Sequence, residues 1–91
     1  MRKVYRVSLK AGYNSTLIPS GFEVLDVFVA YDEPYLLVVG EDHMEPFTPI
    51  EVVLTTSGSE LHEDDCTYKY IATVSISGGA TVFHAFLLER K

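Results

Sequence analysis

The sequence lacks several features that mark whole classes of protein: it has a single cysteine, no tryptophan and no long apolar segment. With Cys66 as the only cysteine, no disulfide can form within the chain, which is typical of proteins from a reducing cytoplasm. No apolar run approaches the ~20 residues that a membrane-spanning helix needs. The opening MRKVYRVSLK is basic but has no apolar stretch behind it, so it does not resemble a secretory signal. We therefore expect a cytoplasmic protein that does not enter a membrane.

Basic side chains are scarce in the body of the chain, although four of them occur among the first ten residues. Residues 11–89 contain all thirteen aspartates and glutamates but only one basic side chain, Lys69, which gives this segment a net charge of −12. A surface this acidic repels phosphate, so we expect no direct binding of nucleic acid through it. It favours a basic protein partner, because complementary charge speeds association. The alternative is that the acids only keep a small domain soluble.

Patterns with a period of two residues dominate the sequence, and they favour β-strands over helices. Residues 11–16 and 19–21 are rich in turn-forming types, so we expect turns there with a short extended piece between them. Residues 22–31 are apolar on both faces, which is typical of a central strand. The other predicted strands lie at residues 3–9, 35–40, 50–57, 66–77 and after Gly79. The sequence thus predicts one all-β domain over residues 1–91, an antiparallel sandwich or partly open barrel of about six strands with a C-terminal Gly-Gly hairpin.

Gly78 and Gly79 separate the last two alternating segments and predict a two-residue hairpin turn, because glycine readily adopts the positive φ angles that such turns require. The predicted cross-strand pairs are Ile76–Thr81, Ser75–Val82, Val74–Phe83, Thr73–His84, Ala72–Ala85, Ile71–Phe86 and Tyr70–Leu87. His84 then lies with Val82 and Phe86 on the less apolar face, opposite a hydroxyl. We interpret His84, Phe86 and Val82 as structural or interface residues, since no carboxylate lies near His84 on either strand.

The closing segment YIATVSISGGATVFHAFLLE is similar to the C-terminal signature of a family of short phage- and prophage-encoded proteins of unknown function. Upstream, IPSGFEVLDVFV and IEVVLTTSGSELHED resemble two further segments of that family, so the similarity covers most of residues 5–89. The chain departs from the family pattern in lacking a tryptophan at residues 35–37. It also has Thr56-Ser57-Gly58, with His62 further on, where the family has Thr-Gly-His. The resemblance implies a fold, a size and a phage context but no reaction.

Two acidic loops each contain one histidine and invite a metal-binding interpretation. The loops contribute Glu41, Asp42, His43 and Glu45, and His62, Glu63, Asp64 and Asp65. If the strands form an antiparallel meander, the loops lie at opposite ends of the strand at 50–57, about 23 Å apart, and cannot share one ion. Phosphate-binding and nucleophile-elbow motifs are absent. We expect no metal, no cofactor and no catalysis; the alternative is a metal protein or enzyme that uses His84 or His62.

The same meander brings seven acidic residues, together with His62, to one end of the molecule. This set contains Asp32, Glu33, Glu60, His62, Glu63, Asp64, Asp65 and Glu89. We expect this acidic end to contact another protein, which predicts a non-enzymatic binding module, for example a phage accessory protein that engages a host or phage protein. The alternative is a structural role, as a virion component or as a homo-oligomer joined through an edge strand such as residues 3–9.

Overall fold

The structure is a computed structural model, and it describes residues 2–19, 21–41, 47–61 and 66–90. These residues form seven β-strands, and a short turn joins the last two of them. The strands are β1 (Arg2–Ser8), β2 (Gly12–Pro19), β3 (Glu23–Ala30), β4 (Glu33–Glu41), β5 (Phe47–Thr55), β6 (Cys66–Ile76) and β7 (Thr81–Arg90), and the turn is Ser77–Gly79. Among the described residues, no helix has the length and apolar character needed to cross a membrane.

The strands form two antiparallel sheets, one with the order β1-β4-β3 and one with the order β2-β5-β7-β6. The predicted all-β antiparallel class is confirmed, with one strand more than predicted. Strands β3 and β6, one from each sheet, contact each other, whereas β1 and β2 are the remaining outer strands. The two sheets therefore approach along one side and do not close into a barrel.

The core lies between the two sheets and is built from alternate residues of their strands. The three-stranded sheet contributes Val27, Leu36 and Val38; the four-stranded sheet contributes Val52, Leu54, Phe83 and Ala85; Leu9 joins them from the β1–β2 connection. Because successive side chains of a strand point to opposite faces, residues such as Val53, His84 and Phe86 lie on the outer face of the four-stranded sheet. This alternation decides which side chains a partner can reach.

Strand β2 and the position of β3 differ from the sequence predictions. The turn expected at residues 11–16 is instead most of β2, which pairs with β5 along its whole length, from Gly12 opposite Leu54 to Pro19 opposite Phe47. The predicted central strand at 22–31 is an edge strand, since β3 pairs only with β4 among the described residues. Its apolar side chains are covered by packing against the other sheet on one face only, which accounts for the exposed Leu25.

The order of the last three strands also contradicts the predicted meander. Strand β7 lies between β5 and β6, so β5 and β6 run parallel to each other and are not neighbours. Thr55 at the end of β5 and Cys66 at the start of β6 therefore lie towards opposite ends of the sheet. The described acidic residues that the meander placed at one end of the molecule are therefore not all found at that end.

The predicted register of the Gly-Gly hairpin is confirmed from the turn to the Ala72–Ala85 pair and is wrong beyond that pair. Gly78 and Gly79 have φ angles of 65° and 93°, the Ala80 amide donates to the Ser77 carbonyl at 3.2 Å, and the pairs from Ile76–Thr81 to Ala72–Ala85 are as predicted. A bulge at Ile71 then shifts the register by one residue, so that Tyr70 faces Phe86 and Lys69 faces Leu87. The bulge lets Ile71 pack against the core while Tyr70 turns to the outer face.

Candidate functional site

Two hairpin turns, one from each sheet, meet at one end of the molecule. Residues Tyr31 and Asp32 connect β3 to β4, and the Ser77–Ala80 turn connects β6 to β7. The Asp32 carboxylate accepts a hydrogen bond from the Ser77 amide, with 2.7 Å between Oδ1 and N. This bond joins the tips of the two sheets. We call Tyr31, Asp32, Glu33 and the Ser77–Ala80 turn the tip surface.

The backbone of the tip surface has a strained conformation at three residues, two in the β3–β4 turn and one in the β6–β7 turn. Tyr31, Asp32 and Ser77 have φ angles of 53°, 59° and 54°, and they are the non-glycine residues with positive φ in the described chain. Such a conformation is costly for a bulky side chain and is usually found on glycine or asparagine. Tyr31 is nevertheless 85% exposed, so no packing within the chain compensates for its conformation. The tip surface thus presents an exposed aromatic side chain on a restrained backbone turn.

His84 occupies the centre of a chain of hydroxyl groups on the outer face of the four-stranded sheet. Its Nε2 lies 2.7 Å from Ser57 Oγ, and its Nδ1 lies 3.0 Å from Thr73 Oγ1. Thr73 Oγ1 in turn lies 2.7 Å from the Tyr70 hydroxyl. Each hydroxyl can donate or accept, so both ring nitrogens have partners in either tautomer of a neutral imidazole. The hydroxyl predicted to lie opposite His84, that of Thr73, therefore bonds to the ring, and Ser57 is a partner that the strand pattern did not indicate.

Aromatic side chains surround this chain of hydroxyls. Tyr68 and Tyr70 both contact the Phe86 ring edge-to-face, with ring centroids 6.2 Å and 5.8 Å apart. Val82 and Tyr70 are exposed, while Phe86 is half-buried beneath its neighbours. Such edge-to-face contacts fix ring positions beyond what burial alone achieves. Val82, His84 and Phe86 therefore share one ordered outer surface, as the sequence predicted.

A second polar network lies further along the same face. Arg90 donates two hydrogen bonds to the Glu51 carboxylate, from Nε at 2.8 Å and from Nη2 at 2.7 Å, and the Tyr13 hydroxyl donates to Glu51 Oε1. These bonds hold the pKa of Glu51 at about 2, well below its usual 4.5, with the Arg90 hydrogen bond as the largest cause. The same ion pair raises the pKa of Arg90. The network connects β2, β5 and β7 across the sheet.

The Glu51 network makes stability depend on acidity in a defined range. Because the pKa of Glu51 is lower in the folded chain, the ion pair stabilises the fold above about pH 4.5 and its contribution is lost as pH falls towards 2. We expect Glu51→Gln to lower the denaturation midpoint at pH 7, with a difference from wild type that shrinks steadily below pH 4.5. Urea titrations of both proteins between pH 7 and 2.5 measure this. A difference that does not change with pH would contradict the assigned ion pair.

A family comparison covers the entire chain. The model of a domain of unknown function, DUF7352, matches residues 1–91. The chain belongs to this family. No curated protein and no solved structure matches it. The expected membership in a family of unknown function is confirmed, and membership of DUF7352 assigns no reaction to the residues described above.

The acidic residues predicted to share one end of this DUF7352 domain do not all lie together. Asp32 and Glu33 belong to the tip surface, and Glu60 is exposed in the connection that follows β5. Glu89 lies opposite Thr67, at the end of β7 far from the Ser77–Ala80 turn. Residues His62, Glu63, Asp64 and Asp65 lie outside the described residues, as do Asp42, His43 and Glu45 of the other acidic loop. The described part of the predicted set is therefore divided between the two ends.

The domain also has a cleft on the side where the sheets do not meet. The cleft has a volume of about 470 Å³ and lies between β1 and β2, with Val7, Leu9, Ile50 and Val52 among its apolar lining residues and Lys10, Asn14 and Thr16 among its polar ones. The Asn14 side chain accepts a hydrogen bond from the Lys10 amide and donates one to the Lys10 carbonyl. These two bonds fix the β1–β2 connection. Within the described ranges, no group of three or more His, Cys, Asp or Glu side chains could hold a metal ion.

Proposed function

We propose that this DUF7352 domain is a non-enzymatic protein-binding module that engages a basic surface of its partner through the tip surface. The observation that carries the proposal is Tyr31, an 85% exposed aromatic side chain on a backbone with positive φ. Conformational strain of this kind costs on the order of 1–3 kcal/mol and persists where function requires it. A tyrosine at a strained turn gives a partner a large, exposed side chain to bury.

Tyrosine suits this role because its ring supplies apolar area and its hydroxyl can bond at the edge of a pocket. The bond from the Ser77 amide to Asp32 supports the role, since it restrains the turn that carries Tyr31. A backbone turn that is already restrained loses less entropy when it binds. The tip surface is therefore suited to act as an anchor without rearrangement.

The charges of the tip surface and of the whole chain favour a basic partner. Asp32 and Glu33 are both exposed, and Glu33 is held by the Tyr35 hydroxyl at 3.3 Å. The chain as a whole has a net charge of −6. Such a field raises the rate of encounter with a positively charged surface and is screened by salt. We accordingly infer an association that is fast and sensitive to ionic strength.

The surroundings of His84 support a role without catalysis. Both of its ring nitrogens bond to hydroxyl groups, those of Ser57 and Thr73, and within the described part of the chain no carboxylate bonds to the ring to stabilise an imidazolium. A phage or prophage context and a cytoplasmic location remain part of the proposal. They rest on the similarity of residues 70–89 to phage-encoded proteins and on the single cysteine, and the genes adjacent to the coding sequence would test the phage context.

Replacing Tyr31 by asparagine separates binding from folding. Asparagine adopts positive φ more readily than tyrosine, so Tyr31→Asn is expected to leave stability unchanged or to raise it by up to about 1 kcal/mol. If the ring is the anchor, the same variant loses at least tenfold in affinity for the partner. The measurement is capture of proteins from a lysate of the encoding cells by immobilised wild type and variants, followed by titration of the captured protein.

Two variants serve as controls for this experiment. Leu25→Asn removes an exposed apolar side chain from the same hairpin away from its tip, and His84→Ala removes the imidazole; both should bind as wild type does. Capture should also weaken as NaCl rises from about 0.05 to 0.5 M, because the Debye length shortens. Equal capture by wild type and Tyr31→Asn would reject the tip surface, and loss on His84→Ala alone would favour the alternative site at His84.

A further inference from the structure

The four outer strands of the two sheets differ in how they are protected against pairing with another chain. Strand β1 carries Arg2, Lys3 and Arg6, and β3 carries Glu23 and Asp26. Strand β6 carries Lys69 and lies against β3. Charges and covering elements of this kind are the usual means by which edge strands avoid association.

Strand β2 has none of these protections. It is eight residues long, GYNSTLIP, and the sequence contains no charged side chain from Ala11 to Phe22. Among the described residues, β2 pairs only with β5, so its other edge is unpaired. Two of its outer-face side chains are apolar and exposed, Tyr13 at 50% and Leu17 at 64%. A long, uncharged, partly apolar edge favours the addition of another strand.

We propose that two copies of the chain associate through β2, in antiparallel register about a two-fold axis at Ser15. The two four-stranded sheets then form one continuous sheet of eight strands. In this register Ser15 lies opposite Ser15 of the second copy, and Tyr13 lies opposite Leu17 of the second copy on the same face. An aromatic ring opposite an aliphatic side chain is a favourable cross-strand pair, and the axis produces it twice.

The inner face of the strand fits the same register. Asn14 lies opposite Thr16 of the second copy while its amide stays bonded to the Lys10 backbone, and Gly12, which has no side chain, lies opposite Ile18 of the second copy. The Tyr13 ring is already positioned by its hydrogen bond to Glu51, which Arg90 holds in place. Strand β2 is therefore complementary to itself, and its lack of charge gives it no preference for a basic or an acidic strand.

A second copy joined through β1 is disfavoured by the charges of that strand. Antiparallel β1–β1 pairing would bring two sets of basic side chains together, and like charges on facing strands are destabilising. The proposal for β2 is independent of the tip surface, because Tyr31 and Asp32 lie on the other sheet, in the β3–β4 turn. Failure of one proposal leaves the other untouched.

Cysteine cross-linking tests both the association and its register. In antiparallel sheets, facing residues have Cα atoms about 4.5–5.5 Å apart, a separation that a disulfide can span. Ser15→Cys is therefore expected to form a disulfide-linked dimer under mild oxidation, since the native Cys66 is buried. Ser8→Cys is the matched control, because Ser8 is also an exposed serine on an edge strand, and it should form little disulfide-linked dimer.

Light scattering coupled to gel filtration supplies the second readout. The wild type, with a chain mass of 10.2 kDa, should elute as a dimer, and Ser15→Lys should elute as a monomer because it brings two ammonium groups together at the axis. Ser8→Lys should remain dimeric. A wild type that stays monomeric at its highest soluble concentration overturns the proposal. Equal cross-linking at Ser8 and Ser15, or a dimer that survives Ser15→Lys, overturns the β2 interface.

Discussion

Leu36→Ala is expected to lower the free energy of unfolding by about 3–4 kcal/mol, within the 2–5 kcal/mol observed for buried leucines truncated to alanine. Leu36 lies in β4, the central strand of its sheet, and its side chain is 0% exposed. It contributes to the core cluster together with Val27 and Val38 of the same sheet. Because strands on both sides hold the backbone of β4, the surroundings cannot collapse to fill the cavity.

Urea denaturation followed by circular dichroism measures this loss, and Leu25→Ala is the matched control. Leu25 lies in β3 at a register shift, and its side chain is 49% exposed. Truncating it should cost less than about 1 kcal/mol, since little apolar area leaves a buried site. A domain of this size has only ~5–15 kcal/mol of total stability, so Leu36→Ala removes a large share of it. Equal losses at the two leucines would mean that the core does not lie between the sheets as described.

Features decided by neighbouring residues were predictable from the sequence. Gly78-Gly79 determines the hairpin turn because both positions need positive φ, and the turn determines the register for the next five pairs. The alternating pattern on either side then assigns His84 to the outer face opposite Thr73. The all-β class follows from the same alternation, which extends through most of the chain.

Features decided by distant residues were not predictable. Residues Gly12, Asn14 and Ser15 favour turns in isolation, but they form part of β2 because that strand pairs with β5 along its whole length. At the bulge, Ile71 and Tyr70 are both apolar enough for either face, so only the packing of the core selects Ile71. The position of β7 between β5 and β6 is likewise a property of the assembled sheet.

The candidate site shows the same division. The sequence indicated Asp32, Glu33 and His84, but it contained no signal for the meeting of the two hairpin tips or for the Ser57 contact. Tyr-Asp is not a typical pair for a turn with two positive φ angles, so the strain at Tyr31 emerges only from the backbone. Sequence rules are expected to fail at functional sites, because residue type and backbone conformation can conflict there. This failure is the reason for assigning Tyr31 a binding role.

Gly40→Ala is expected to destabilise the fold by about 1–3 kcal/mol, although alanine is normally no worse than glycine in a strand. A Cβ at Gly40 would lie 2.7 Å from Phe22 Cδ1, 2.8 Å from Phe22 Cα and 2.9 Å from Phe22 Cγ. Gly40 does not have positive φ, so the cost arises from steric contact and not from backbone conformation. Because one of the three atoms belongs to the backbone, rotation of the Phe22 side chain cannot relieve the contact completely.

A double-mutant cycle with Phe22→Ala identifies the cause of this loss. Phe22 also packs on Tyr5, with ring centroids 5.4 Å apart, so Phe22→Ala is destabilising by itself. If Gly40 exists to admit the Phe22 ring, the cost of Gly40→Ala falls in the Phe22→Ala background, and the two effects sum to more than the double variant shows. The cost should not vanish, because Phe22 Cα remains close. Additive losses would show that Gly40 is required for a reason other than the approach of Phe22.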